Sequence, residues 1–434
     1  MKSLTIAALL LGPSLFATSL PLCAQTYTCA PAKNGAVALN GTSTYSATTA
    51  GFDLHSTPQS AAGFCSSDKP FFLSIPVAEG NYRVTVELGS PADSVTTVRA
   101  EARRLMLEKV ATTAGKTTTR TFDVSVRTPQ IGSDEKTQVK LKPREVGNAD
   151  WDHKLTLEFN GLRPGFRSVR IELIPNPASE PVIYLAGDST VVDQDVEPWT
   201  AWGQILPRFL APGIVVSNQA ESGETVRSFG GEKRFEKIFS TIKPGDYLFL
   251  QFGHNDQKPD SKVSLDLYQE LLTQAIARTR AAGATPVLVT SMLRRNFLPD
   301  GTVKDTMAGY PDRMRQIAKE QNVTLIDLNA MSRTLWEALG PEGTKKAFMH
   351  YEANSFPGQT EAILDDTHFN GYGAYLLAEC IGRGMREANL PLTRFLIDPN
   401  KNFDPKHPDD PATFSLPFTP IPPKDGDVTK VPQI

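Results

Sequence analysis

The chain has 434 residues, enough for two or three domains with separate cores, and its 40% hydrophobic and 21% charged residues give the balance of an ordinary globular protein. Its formal net charge of −3 and the lack of a long basic run argue against a nucleic-acid partner. They leave an anionic polysaccharide open, because charge around a cleft decides that binding rather than the total.

Residues 1–24 read as a secretory leader. Lys2 supplies the positive end, and Leu4–Phe16 is apolar but too short to cross a bilayer. Cleavage is expected after Ala24, although Leu22 is larger than usual at its place. Leu22 also fits poorly before Cys23 in a lipoprotein signal. No later stretch is apolar enough to span a membrane, so a secreted or periplasmic, membrane-free monomer is expected. Of the remaining cysteines, Cys29 and Cys65 lie in one segment where a disulfide is allowed, and Cys380 sits in an apolar run as a buried thiol.

From 25 to 176 the chain is rich in short alternating runs such as Tyr82–Leu88, Thr121–Val126, Lys154–Phe159 and Val169–Leu173. Apolar side chains at every second position mark half-buried strands, and several of them predict a β-sandwich; it is expected to resemble the galactose-binding-like type. Ala100–Val110 has helical character, but its flanks favour strand or loop. The sandwich is read as a buttress, with a carbohydrate-binding module as the alternative.

The prolines of Ile174–Pro181 end that pattern and place a domain boundary. From 182 to 395, apolar runs at Val182–Ala186, Ile214–Ser217, Asp246–Phe252, Pro286–Thr290 and Thr324–Leu328 alternate with amphipathic stretches such as Leu265–Ala282 and Pro311–Gln321. This alternation predicts a parallel sheet covered by helices, with reactive loops at the carboxyl ends of its strands. Residues 396–434 are proline-rich and predict a loosely packed tail.

Four short blocks carry the chemistry. Gly187-Asp-Ser189-Thr follows the first apolar run and sets a serine on the rim of the sheet. Gly223 follows the second, where a bare backbone N–H can approach a substrate oxygen. Asn255, in Gln251-Phe-Gly-His-Asn-Asp, offers an amide to the same oxygen. Asp365-Asp-Thr-His368 places a carboxylate three residues before a histidine, so that the two can meet within one turn and the ring can take the serine proton. Asp366 competes for that role, but the spacing favours Asp365. The Gly-x-Ser-x-Gly elbow of lipases is absent around Ser189.

In this order the blocks resemble those of the SGNH (GDSL) hydrolase superfamily, and their wording is similar to rhamnogalacturonan acetylesterases. The second block departs, with Gly223-Glu-Thr225 where that family often has Gly-Arg-Ser. The resemblance implies a flavodoxin-like three-layer α/β domain and a serine esterase without metal or other cofactor. It implies a Ser189–His368–Asp365 triad and an oxyanion hole from the N–H groups of Ser189 and Gly223 and the amide of Asn255. The implied partner is acetylated plant cell-wall polysaccharide, rhamnogalacturonan first. Alternatives are acetylxylan, another glycan or short-chain ester, or a glycan-binding protein without catalysis.

Trp199 and Trp202 are candidates to stack on a sugar, with burial beside the first helix the commoner reading; Arg227 is a candidate contact to a uronate, with a solvated or structural role the commoner one; and His254 is read as a loop residue shaping the cleft, with substrate contact as the alternative. Arg294 and Arg295 carry the same ambiguity between contact and structure. Asp188 and Asp193–Asp195 lack a full ligand set for a metal.

Overall fold

The computed structural model describes residues 24–420 except 176, 178, 357–358 and 399–401, with only the backbone of residue 135. The leader and the end of the tail therefore lie outside the described residues. Among these, the chain forms a β half and an α/β half with separate cores.

In the β half, one sheet runs in the order Thr118–Val126, Gly80–Leu88, Gly165–Leu173, Gln25–Thr28 and Val37–Ala38. The other runs Gly51–Asp53, Phe71–Pro76, Lys154–Leu162, Ser94–Ala100 and Arg104–Thr112. Alternation sends Val84, Val86 and Leu88 from the first, and Leu155, Leu157 and Phe159 from the second, into one shared core. Phe159 and Phe166 meet at 4.6 Å between ring centres there. The segment with helical character thus forms strand on both sides of a turn at 101–103. Cys29 and Cys65 are bonded, and Cys380 is a buried thiol.

In the α/β half, five parallel strands lie in the spatial order Val215–Asn218, Val182–Ala186, Tyr247–Leu250, Thr285–Val289 and Thr324–Ile326. Along the strand Val182–Ala186, the first of this half, Ile183 and Leu185 join one core with the helix Gly371–Glu387, while Val182, Tyr184 and Ala186 join another with Leu265–Ala281 and Tyr310–Gln321. A strand buried on both faces must be apolar throughout, which is why these runs stand out in the sequence. The chain leaves the first strand to one side and later returns to the other, opening a crevice at the carboxyl ends of the strands.

The halves are joined by buried charge. Arg104, 1% exposed, donates from Nε to Asp193 at 2.6 Å and from Nη2 to Asp150 at 2.8 Å, with Arg127 close by. Arg103 donates to the carbonyls of Gln194 and Trp199 at 3.0 Å and pairs with Glu197. Removing one partner from such a pair strands the other charge in a low dielectric. Arg104→Met is therefore expected to cost about 3–5 kcal/mol of stability, read as a lower urea midpoint at pH 7.

The described part of the tail, as far as residue 420, is not loosely packed. Among its described residues no helix or strand follows Phe395, yet Arg99 donates to Pro417 O at 2.5 Å, Asn160 to Phe418 O at 2.7 Å, and Thr419 to Glu158 at 2.8 Å. Hydrogen bonds to the side chains of the β half, which a sequence pattern does not report, hold it in place.

Candidate active site

The crevice is a cleft of about 580 Å³ lined by residues of all four sequence blocks, among them Ser189, Gly223, Asn255 and His368. Ser189 sits in the turn after Val182–Ala186. Gly187 is required there, since a Cβ would lie 2.6 Å from Val191 and 2.9 Å from the Gln251 carbonyl. Asp188 is buried and shapes the turn by accepting from Thr190 N at 2.9 Å and Thr190 Oγ1 at 2.7 Å.

His368 Nε2 lies 2.8 Å from Ser189 Oγ, and its Nδ1 lies 2.6 Å from Asp365 Oδ2. Both acidic and basic members fall on the strand Ile363–Phe369, which pairs irregularly with Phe348–Tyr351, rather than in a helical turn. A regular strand would point residues three apart to opposite faces. Here Asp365 Oδ1 folds the chain back by accepting from the N–H of Thr367 at 2.8 Å and of His368 at 3.0 Å. Burial pushes the Asp365 carboxyl up, but its bond to His368, the ring's charge and those two N–H groups outweigh this and hold it at about 2. Asp366 faces away, bonded to His350 at 2.7 Å and Arg295 at 3.0 Å.

Across the cleft, Asn255 Nδ2 donates to Glu224 O at 3.0 Å and has a second hydrogen to give, while its Oδ1 accepts from Lys258 at 2.7 Å. The main-chain N–H groups of Ser189 and Gly223 have no acceptor among the described residues. Gly223 adopts φ +82°, a conformation that side chains resist. Next to Asn255, burial raises the Asp256 carboxyl to about 7, against a bond from Val226 N. A proton held in the folded state and lost in the unfolded one makes stability fall as pH rises from the ordinary carboxylate range to about 7, then level off. Asp256→Asn is expected to flatten that fall, seen as similar urea midpoints at pH 5 and pH 8.

Trp199 and His254 line the cleft, with His254 Nε2 at 3.0 Å from the Met292 carbonyl and Nδ1 at 3.6 Å from Asp188. Two candidate contacts are corrected. Trp202 is fully buried, and its Nε1 donates to Gln251 Oε1 at 2.8 Å, so it braces the floor under Thr190 and has no face for a sugar. Arg227 projects from the outer side of the helix Val226–Gly231, whose Val226 and Phe229 turn inward, and lines a different hollow with Phe239 and Arg278. Arg294 is at the cleft, donating to His254 O and Thr367 Oγ1 at 3.2 Å each. Arg144, Lys258 and Gln194 also line it and were not singled out from sequence. Lys258 was within reach of a reading of the third block, three residues after Asn255. Arg144 comes from the β half, and nothing local marks it.

The sequence model of the GDSL-like lipase/acylhydrolase family matches residues 185–375. Rhamnogalacturonan acetylesterase RhgT of Bacillus subtilis is 41% identical over 217 residues, covering 50% of this chain and 94% of that protein. The probable rhamnogalacturonan acetylesterase YesY of the same organism is 37% identical over 220 residues, covering 50% and 97%. The crystal structure of YxiM, also from Bacillus subtilis, covers 85% of this chain and 99% of its own at 23% identity and a TM-score of 0.47. The chain belongs to the GDSL-like lipase/acylhydrolase family. It is an enzyme, a serine esterase.

Proposed function

We propose that the protein removes acetyl groups from a pectic polysaccharide, acetylated rhamnogalacturonan, through an acetyl-enzyme on Ser189. The observation that carries this is the unbroken chain of bonds from Ser189 through His368 to Asp365, open to a cleft with Arg144, Lys258 and Arg294 in its walls. Three cations suit a polysaccharide bearing carboxylates better than a neutral xylan. Asp195 is also in the lining and leaves the balance positive. The names of RhgT and YesY support the same substrate.

In the first step Ser189 Oγ attacks the acetyl carbonyl as His368 Nε2 takes its proton, and Asp365 holds the imidazolium that forms. The oxyanion is received by the N–H groups of Ser189 and Gly223 and by Asn255 Nδ2. His368 returns the proton to the departing sugar oxygen, and a water activated by the same ring then frees acetate. Trp199 offers an aromatic face to a sugar ring beside the ester. The leader read at residues 1–24 directs the enzyme out of the cytoplasm, to where such polymers are met.

Acetate release from acetylated rhamnogalacturonan and from acetylated xylan tests this reading. Faster release from the first supports it. Release from xylan alone discards the substrate and keeps the chemistry. No release from either, nor from p-nitrophenyl acetate, discards both.

A further inference from the structure

Among the described residues, the β half lines the cleft through Arg144. Its loop Lys142-Pro-Arg-Glu145 lies against the turn that carries Gly223, and both cations converge on one atom. Lys142 Nζ donates to the carbonyl oxygen of Ser222 at 2.8 Å, and Arg144 Nη2 donates to the same oxygen. That carbonyl belongs to the peptide unit whose N–H is Gly223's. In a trans peptide the C=O and N–H point in opposite directions, so fixing the oxygen aims the N–H.

We propose that Lys142 and Arg144 are positioning residues for ester hydrolysis: they grip the Ser222–Gly223 peptide from behind, aim its N–H into the oxyanion hole and strengthen it as a donor. Positive charge at a peptide oxygen draws electron density from the nitrogen of the same unit, and bonds that share a polarised group reinforce one another. The inference rests on the reading of Gly223 N–H as an oxyanion donor.

The clamp is built rather than incidental. Arg144 Nε also bonds Glu221 at 2.6 Å, and Lys142 pairs with the buried Glu224. Those two acids flank the Ser222–Gly223 unit, so each cation is fixed both to the peptide and beside it. The loop is held in turn by Glu145, whose carboxylate accepts from Lys142 N at 2.8 Å, Trp151 Nε1 at 3.0 Å and Arg234 at 2.5 Å. Ile131, Val139 and Trp151 give this corner a small core of its own. At Gly223 the positive φ turns the unit, and an added Cβ would meet nothing nearer than Lys142 Nζ at 3.9 Å. RhgT and YesY are matched over nearly their whole length by half of this chain, which leaves no room in them for a comparable β half. In this chain the second domain supplies part of the oxyanion apparatus.

The test uses the full chain and p-nitrophenyl acetate, which needs the oxyanion hole but no glycan contact. Lys142→Met with Arg144→Met is expected to lower kcat about 10- to 100-fold, a part of what losing a whole donor costs, with KM nearly unchanged. Arg144→Lys is expected to restore most of kcat. In protein labelled with 15N-glycine, the Gly223 amide resonance is expected to move in the double variant while the other glycine resonances hold. If the double variant does not fold, Arg144→Met alone takes its place, since that side chain is half exposed.

A folded double variant with wild-type kcat overturns the proposal, as does a lost kcat with the Gly223 resonance unmoved. Ser189→Ala, run alongside, separates the two levels. If it stays active, the site reading itself has failed. If it is inactive while the double variant keeps wild-type kcat, only the clamp has failed.

Discussion

Ser189→Ala is expected to lower kcat by about 10⁶-fold on p-nitrophenyl acetate and on acetylated glycan alike, leaving only what binding and the oxyanion donors supply. The geometry gives the reason. Ser189 Oγ is the atom that His368 Nε2 meets at 2.8 Å, and alanine leaves that ring with no proton to take. The change removes one oxygen at a residue already 8% exposed, so the unfolding midpoint is expected to stay within a degree or two of wild type. A burst of p-nitrophenol ahead of steady turnover in the wild type, absent from the variant, would locate the loss in acetyl-enzyme formation.

Asp365→Asn is expected to lower kcat by about 10⁴-fold with little change in KM. An amide facing His368 Nδ1 can present an N–H, which leaves the ring's proton on Nε2 and turns a donor towards Ser189. The carboxylate, held at about 2, keeps its charge throughout the working range. Its value is depressed, so the stability it gives is present above the ordinary carboxylate range and is lost only as pH falls towards 2. Asp366→Asn is the contrast. That side chain is half exposed and bonded to His350 and Arg295 outside the cleft, so activity is expected to change by no more than a few-fold. Parallel kcat measurements on the two variants decide between neighbours that the sequence alone ranked by spacing.

What the sequence disclosed followed from what it encodes locally. The run Val182–Ala186 was legible as a strand because every one of its side chains is buried. Ser189, Gly223 and Asn255 were legible because each follows such a run by a few residues. Asp365 and His368 were found by spacing, but the bend that unites them was not foreseen, because it depends on two backbone N–H groups turning to one carboxylate oxygen. Trp202 was misplaced because a tryptophan beside a nucleophile reads alike whether it faces the cleft or, as here, caps Gln251. Arg227 was misplaced although Val226 and Phe229, three apart and both buried, mark the inner face of its helix. Lys142 and Arg144 were out of reach for another reason. Their role depends on a contact with Ser222, eighty and seventy-eight positions along the chain, and only the fold brings those positions together.

The returning tail bears on how the molecule is made. Synthesis delivers the β half first, the α/β half next and residues 414–420 last of the described chain. Those last residues seat against Arg99, Glu158 and Asn160, laid down at the start, and Thr419 N reaches Glu197 in the α/β half at 3.0 Å. Among the described residues, this tie between the two halves is thus the latest to emerge. A nascent chain stopped short of Phe414 holds every residue of the cleft and the buried pairs of Arg103 and Arg104, but lacks this further tie between its halves.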